Sequence, residues 1–315
     1  MRPLPSFLAL ALLATASGAA LAETVYPLTL DNCDTTVTLS AAPQRVVTIR
    51  STSTEMLLAL GLGQRIVGVA FQDGLAPEPW TAQSAALPVL AEKLPSPEIV
   101  LEAEPDLVYA GWESNFSLEG VGERATLEGL GVATYVSPPA CRSVVPPKLT
   151  FEAVFDEIAE IGLIFDVQDE AEALIVAQRE ELAGIVPDQR GLTALWFSSG
   201  SKAPYVGAGR NAPQMMLEAL GLENVMGDVD DGWISASWEA VVDADPDVIV
   251  LVDGERNSVE MKKALLAENP ITSRLDVVAN ERYLIVPFAA AEAGIRNVSA
   301  TADMAAQLAR LSFTP

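Results

Sequence analysis

Short apolar runs rich in β-branched residues alternate with helical patterns in the first half of the chain. Four runs predict buried strands, at residues 45–50, 65–70, 107–110 and 133–136. Helical patterns lie between them at residues 55–60, where the hydroxyls of residues 51–54 can cap the helix, and at residues 118–130. Strands that alternate with helices predict a mainly parallel sheet covered on both faces.

The second half repeats this pattern after a charged helical segment. Residues 151–186 carry apolar positions at helical spacing in two pieces, interrupted around residues 162–166. Strands are then predicted at 192–197, 248–252 and 282–286, and helices at 212–220 and 300–311. We therefore predict an α/β fold of two Rossmann-like lobes with mainly parallel central sheets, at residues 23–166 and 189–315, joined by a helix within residues 167–188.

A weak internal repeat relates the two lobes. Ser96-Pro97-Glu98 stands six residues before Pro105-Asp106, and Ser237-Trp238-Glu239 stands six residues before Pro246-Asp247. In each unit a Ser is expected to cap a short helix, a Glu faces the positive end of the helix dipole, and Pro-Asp leads into a buried strand. Glu98 and Glu239 are then either local helix-start carboxylates or two matched acidic points for arginines of a membrane partner.

The first 22 residues have the pattern of a cleaved secretory signal, with Arg2, an apolar run at residues 7–13 and an Ala20-Leu21-Ala22 cleavage site. No Cys stands at the cleavage point, so we expect a periplasmic protein without a lipid anchor. The chain has 19 basic and 43 acidic residues and a formal net charge of −24. Such a surface repels phosphate and disfavours nucleic-acid binding.

Cys33 and Cys141 both follow the signal, where an oxidising compartment favours a disulfide between them; two free thiols are the alternative. The chain contains no His, which removes zinc HExxH sites and Ser-His-Asp or Cys-His pairs. An enzyme that uses a pair of carboxylates remains an alternative. We predict no catalytic residues, no metal site and no cofactor.

Aromatic and basic side chains at predicted strand ends are candidate ligand contacts. Ligands bind at strand ends in open α/β sheets, and Trp112 and Trp196 each end an apolar run, although either could belong to a core. Arginine offers a fork that matches carboxylate or phosphate, so converging arginines would indicate an anionic ligand, whereas arginines paired with neighbouring acids would be ordinary surface charges. The basic residues at such positions are Arg50, Lys202, Arg210, Arg256 and Arg296.

Several stretches resemble the periplasmic binding proteins for iron-siderophores and cobalamin. The opening is similar at 42–47 (APQRVV), 54–61 (TEMLLALG) and 65–68 (RIVG), and the paired S-x-E-x6-P-D units are similar as well. Within that family the chain looks closest to a subgroup proposed to carry a deazaflavin coenzyme precursor, at residues 107–115, 204–209 and 291–297.

The resemblance implies two α/β lobes bridged by one long helix, with a small molecule held between them for an ABC importer. It implies that Glu98 and Glu239 form salt bridges to arginines of the permease dimer. We expect a monomer that binds a metal chelate or a flat anionic cofactor precursor; a sensor or co-receptor with the same ligand is the alternative. The predicted ligand-binding residues are Ser51, Thr52, Phe71, Trp112, Asn115, Trp196, Arg210, Trp233 and Arg296.

Overall fold

The computed structural model describes residues 22–255 and 257–313. The predicted signal segment, apart from Ala22, lies outside the described residues, and so does Arg256. Two sheets with helices packed against them follow an antiparallel hairpin, β1 (Leu28–Asp31) and β2 (Thr36–Leu39). The fold is the predicted α/β class, with two lobes built on mainly parallel central sheets.

The sheet of the first lobe is wholly parallel. Its strands are β3 (Val46–Ile49), β4 (Ile66–Ala70), β5 (Val89–Ala91), β6 (Leu107–Ala110) and β7 (Ala133–Val136), in the order β5-β4-β3-β6-β7. Its helices are α1 (Ser51–Ala59), α2 (Thr81–Ala85), α3 (Pro97–Glu102) and α4 (Arg124–Gly129). The predicted helix at residues 118–130 was too long, because Gly122 takes a φ of +106° just before α4 begins.

Two helices follow the first sheet, α5 (Phe151–Phe165) and α6 (Gln168–Ala183), and they are separated by Asp166 in the left-handed conformation. Both belong to the segment that the sequence predicted to be helical in two pieces. Val154, near the start of α5, packs into the core of the second lobe, whereas Phe155 and Phe165 pack into the core of the first. Helix α5 therefore contacts both lobes, so the bridge is not confined to one helix within residues 167–188.

The sheet of the second lobe is mixed. Its strands are β8 (Thr193–Ser199), β9 (Tyr205–Gly207), β10 (Glu223–Asn224), β11 (Trp233–Ser235), β12 (Val248–Asp253) and β13 (Tyr283–Pro287). Strands β10, β8, β12 and β13 are parallel. Beyond β8 the sheet continues with β9, which is antiparallel to β8, and then with β11, which is antiparallel to β9. The remaining helices are α7 (Ala212–Ala219), α8 (Trp238–Ala244), α9 (Val259–Glu268), α10 (Asp276–Ala279) and α11 (Asn297–Leu308).

Short 3-10 turns complete the described secondary structure, at Gly63–Arg65, Glu113–Asn115, Pro138–Ala140, Thr272–Arg274 and Phe288–Ala290. In the described part of the chain, no helix is long and apolar enough to span a membrane.

The internal repeat has a structural counterpart in the two aspartates. The Asp106 carboxylate accepts hydrogen bonds from the backbone N–H groups of Gln44 and Arg45, at 2.7 and 3.0 Å, just before β3. The Asp247 carboxylate accepts from the N–H and the hydroxyl of Thr193, at 2.9 and 3.0 Å, where β8 begins. Each Asp therefore fastens its own strand to the start of the neighbouring parallel strand.

The Ser caps of the repeat differ between the lobes. Ser237 accepts a hydrogen bond from the N–H of Ala240, as an N-cap should, at 3.1 Å. Ser96 makes no such bond to the backbone, so the predicted cap was wrong there. Its hydroxyl instead bonds to the exposed Glu98 carboxylate and lowers the pKa of that group.

A disulfide joins Cys33 to Cys141, across 108 residues of sequence. Cys33 lies in the β1–β2 turn, and Cys141 follows the 3-10 turn after β7. Beside it, Ser143 donates to the Cys33 carbonyl at 2.7 Å. The disulfide therefore fixes the hairpin to the segment that leaves the first sheet and crosses to the second lobe.

Candidate ligand-binding cleft

A cavity of about 740 Å³ lies between the carboxyl ends of the two sheets. The first lobe contributes residues that follow β3, β4, β5 and β6, and the second lobe contributes residues that end or follow β8, β12 and β13. Loops at these strand ends converge because parallel strands all finish at one edge of a sheet. The volume falls within the roughly 300–1,000 Å³ of small-molecule sites.

Arg50 stands at the centre of the cavity wall, with its side chain only 4% exposed. Its guanidinium carbon lies 3.7 Å from the ring centroid of Trp112, 4.6 Å from that of Phe71 and 5.4 Å from that of Phe288. These distances are those of cation–π contacts. Phe288 comes from the second lobe, so aromatic side chains of both lobes surround one cation.

The backbone is strained where it presents this group. Arg50 has a φ of +83° and Phe71 a φ of +54°, values that non-glycine residues rarely adopt. Such conformations cost about 1–3 kcal/mol each and cluster at binding sites and ligand clamps. Gly111 allows the close fit, because a Cβ there would lie 2.7 Å from the hydroxyl of Thr52 and 3.0 Å from the Cβ of Arg50.

Arg50 is incompletely satisfied. Its Nη2 atom lies 2.9 Å from Oδ1 of Asp73 in an ion pair. That contact lacks the alignment of a hydrogen bond, so Nη2 is buried without a hydrogen-bond partner in the described chain. Burial also lowers the pKa of Arg50, and Asp73 and Glu292 oppose this shift.

Five charged side chains form what we call the floor cluster: Arg50, Glu55, Asp73, Glu292 and Arg296. Arg296 pairs with Glu55, with Nε 2.6 Å from Oε2, and also donates to the carbonyl of Leu75 at 3.1 Å. Burial raises the pKa of all three carboxyl groups, of Glu55, Asp73 and Glu292, and the arginines oppose that shift. Two cations thus face three carboxylates in a partly dehydrated site.

The second lobe contributes a buried cation to the cavity wall. Lys262, on α9, is 1% exposed and donates to the carbonyls of Val252 and Asn257. Burial lowers the pKa of Lys262 to about 8. Because both acceptors lie beside the loop between β12 and α9, this lysine holds the rim of the cavity in place.

Of the predicted ligand-binding residues, Phe71 and Trp112 line the main cavity. Thr52 lines a separate cavity of about 20 Å³, and Glu292 lines the same small cavity. Ser51 and Asn115 support the wall from behind: the hydroxyl of Ser51 accepts from the Asp73 N–H at 2.8 Å, and Oδ1 of Asn115 accepts from the Trp112 N–H at 3.2 Å.

The other predicted contacts lie elsewhere. Trp196 is fully buried in the core of the second lobe, and Trp233 stacks on Tyr205 with centroids 5.8 Å apart, outside the cavity lining. Arg210 pairs with Asp230, with Nη2 and Oδ2 3.0 Å apart, as an ordinary surface charge does. Arg296 forms an ion pair with Glu55. Arg50 and Arg296 thus share one charged cluster, but among the described arginines Arg50 alone lines the cavity.

Asp73, Lys262, Phe288 and Glu292 were not predicted as site residues. Asp73, Phe288 and Glu292 lie two to six residues beyond predicted strands, so strand ends did mark the region. Arg50 was among the basic candidates but was not predicted to bind ligand, because its positive φ leaves no trace in the residue pattern.

Glu98 and Glu239 are exposed, each in the first turn of its helix, α3 and α8. Both helices lead into a parallel strand, β6 and β12. A helix that returns to the start of a parallel strand begins near the carboxyl edge of the sheet. Each carboxylate therefore lies toward the cleft-facing end of its own lobe.

A family model described as "Periplasmic binding protein" matches residues 46–290. The chain belongs to this family. A curated relative is the uncharacterized ABC transporter substrate-binding lipoprotein YvrC of Bacillus subtilis, 24% identical over 247 residues that cover 76% of this chain and 73% of the relative.

Solved structures of similar fold include a periplasmic binding protein from Veillonella parvula, with a TM-score of 0.79, 24% identity, and coverage of 89% of this chain and 97% of that one. An ABC-type Fe3+-hydroxamate transport system from Saccharomonospora viridis has a structure with a TM-score of 0.77, 27% identity, and coverage of 90% of this chain and 99% of that one. The apo heme-binding protein RhuT from Roseiflexus has a TM-score of 0.68, 22% identity, and coverage of 84% and 97%.

The protein is thus an ABC transporter substrate-binding protein of the class III type, whose members bind small ligands and deliver them to a permease. The family consists of solute-binding proteins rather than enzymes. The inter-lobe cavity, at the carboxyl ends of both sheets, is the place where such a ligand can be held.

Proposed function

We propose that this protein captures, in the periplasm, a metal chelate of the ferric hydroxamate type, or a flat anionic cofactor precursor, and delivers it to an ABC permease. The observation that carries the proposal is Arg50, a buried cation with an unsatisfied Nη2 and aromatic rings from both lobes around it. Such a site favours a ligand with one anionic group and a flat or apolar body.

The charges of the cavity wall argue against a ligand with several separate anionic groups. Arg50 and Lys262 line it together with Asp73, Glu92 and Glu255. Arg50 is already ion-paired with Asp73 and still has a hydrogen-bond donor without an acceptor, so it can take one anionic group, whereas further anionic groups would meet the carboxylates of the same wall. A neutral or singly charged chelate satisfies this condition.

A haem ligand has less support. Haem iron is held by the side chains of His, Cys, Met or Tyr in proteins. None of the described residues that line the main cavity is of these four types. A chelate whose metal is already fully coordinated, as in a ferric trihydroxamate, needs no such ligand from the protein.

The deazaflavin-precursor alternative rests on sequence likeness in three stretches, residues 107–115, 204–209 and 291–297. One of them lines the main cavity, through Trp112, and another lines the small cavity, through Glu292. The aromatic side chains of Trp112, Phe71 and Phe288 would give a flat tricyclic ring apolar contacts in the cavity. This ligand therefore stays a second candidate.

Tryptophan fluorescence tests the proposal directly. The protein is titrated in parallel with a ferric trihydroxamate, haem, cobalamin and a deazaflavin precursor, as wild type and as the variants Trp112→Phe and Trp196→Phe. We expect saturable quenching by a trihydroxamate or the precursor, an affinity lowered about tenfold by Trp112→Phe because that ring lines the cavity, and no change in affinity with Trp196→Phe.

Trp196→Phe is the matched control, because it also removes an indole, but one that is buried in the core of the second lobe away from the cavity. Equal weakening by both variants would contradict the assignment of the cavity. Tight binding of haem with no response to the other compounds would replace the proposed ligand class and keep the transport role.

A further inference from the structure

Trp112 and Glu292 form a contact between the lobes, and each of them lines a different cavity. The indole Nε1 of Trp112 donates to Oε2 of Glu292 at 3.2 Å. Trp112 lines the main cavity, whereas Glu292 lines the small one of about 20 Å³. The guanidinium of Arg50 stacks on the same indole, so the anion, the ring and the cation form one unit.

The Glu292 carboxylate has few partners. Oε1 receives no hydrogen bond from the described residues, and the indole is the sole donor to Oε2 among them. The small cavity beside it is polar, with the side chains of Thr52, Ser137 and Asn211 in its lining. Its volume is about that of one water site, so a carboxyl group can change its hydrogen bonds there without a large rearrangement.

The charges around Glu292 come from several elements. Arg50 follows β3 and attracts it, and Asp73 follows β4 and repels it. Tyr205, on β9, is close enough for the Glu292 charge to contribute to its raised pKa, and Asp231 and Arg142 also act on that tyrosine. Among the described residues, Arg50 is the cation whose charge opposes the rise that burial causes in the pKa of Glu292.

We propose that Glu292 competes with the ligand for Arg50: when an anionic group of the ligand binds Arg50, the Glu292 carboxylate takes up a proton from solvent and turns to the hydroxyls of the small cavity. The inference rests on the proposed function, since it requires an anionic group in the cleft.

Charge balance supplies the physical reason. The floor cluster already has three carboxylates for two guanidinium groups, and burial raises the pKa of each carboxyl. A bound anion adds a fourth negative charge in a medium where like charges repel strongly. Protonation of Glu292 restores the balance. Because binding then takes up a proton, affinity for an anionic ligand falls as pH rises.

The test needs no physiological ligand. The emission of Trp112, obtained as the difference between wild type and Trp112→Phe, is followed from acid to mildly alkaline pH. Sulfate serves as the anionic probe because it does not titrate in this range, with chloride at matched ionic strength as its control. We expect one step in the emission, which sulfate moves to higher pH and chloride does not.

The step should vanish in Glu292→Gln, which keeps an oxygen acceptor for the indole but cannot titrate. It should persist in Glu102→Gln, which removes an exposed carboxylate outside the lining of the cavity. Retention of the step in Glu292→Gln, absence of any step in wild type, or a step that sulfate leaves in place would each overturn the inference.

The two proposals fail separately. Saturable binding of a trihydroxamate without a sulfate-sensitive step keeps the proposed function and removes the role of Glu292. A sulfate-sensitive step without binding of any compound in the ligand panel keeps the anion site and removes the proposed ligand.

Discussion

Glu157 is a carboxyl group enclosed in the first lobe, with 3% of its surface exposed. Its oxygens accept hydrogen bonds from the hydroxyls of Tyr109, at 2.8 Å, and Ser137, at 3.0 Å. Burial nevertheless raises the pKa of Glu157 to about 7, against its ordinary value of 4.5, and the nearby Glu160 adds to the shift. The folded protein therefore binds this proton more tightly than the unfolded chain does.

This raised pKa predicts a pH-dependent effect of Glu157→Gln on stability. The native proton stabilises the fold fully below the unfolded pKa, and this contribution is lost as pH rises through about 7. We expect the free energy of unfolding of the variant, relative to wild type, to rise by up to roughly 3 kcal/mol between about pH 5 and about pH 8. Urea unfolding of both proteins at the two pH values measures it; a constant difference would contradict the assignment.

Side-chain orientation is what the sequence could not supply at the residue scale. Trp112 and Trp196 both end apolar runs, yet Trp112 lies just past the end of β6 and faces the cavity, whereas β8 continues to Ser199 and keeps Trp196 in the core. Residue pattern does not fix where a strand stops to within a few positions. Arg50 was not predicted to bind ligand for a related reason, because its position in the cavity depends on a positive φ that the residue pattern does not reveal.

The Pro-Asp turns of the two lobes act at the scale of the element. Asp106 and Asp247 each satisfy two donors at the start of a neighbouring strand. Their removal gives up two hydrogen bonds to a charged acceptor, each with a net contribution of about 1 kcal/mol. We expect Asp106→Ala and Asp247→Ala each to lower the free energy of unfolding by about 2 kcal/mol in urea denaturation.

Glu102→Ala is the matched control for Asp106→Ala, because Glu102 is an exposed carboxylate four residues earlier. We expect a change within about 0.5 kcal/mol there. If one aspartate variant were destabilised and the other were not, the two turns would not be equivalent, and the internal repeat would be a likeness of sequence only.

Strands marked by apolar runs were predicted well, and several other short strands were missed. Strands β3, β4, β6, β7, β8, β12 and β13 were found from their apolar runs within one or two residues. The β1–β2 hairpin and strands β9 to β11 were not found. These strands, and β5 in the first lobe, have only two to four residues, too few to show a period; strands of four residues that were found were marked instead by their apolar runs.

At the scale of the whole molecule, two lobes on one plan place Glu98 and Glu239 at matched positions, each exposed in the first turn of the helix before a central strand. We propose that both dock on arginines of the permease. An exposed helix-start carboxylate adds little to stability, so its loss should leave the fold and the ligand site unchanged. The role of these residues must then be sought in transport rather than in binding.

The double variant Glu98→Lys with Glu239→Lys tests this role. Uptake of the ligand by cells should fall at least tenfold, because like charges now meet at the permease surface, while the affinity of the purified protein stays within about twofold of wild type. Glu102→Lys with Glu260→Lys changes the net charge equally at exposed positions and should support normal uptake. Normal uptake by the first pair would remove the docking role and favour a sensor, and equal loss with both pairs would mean that total charge, not position, sets the encounter.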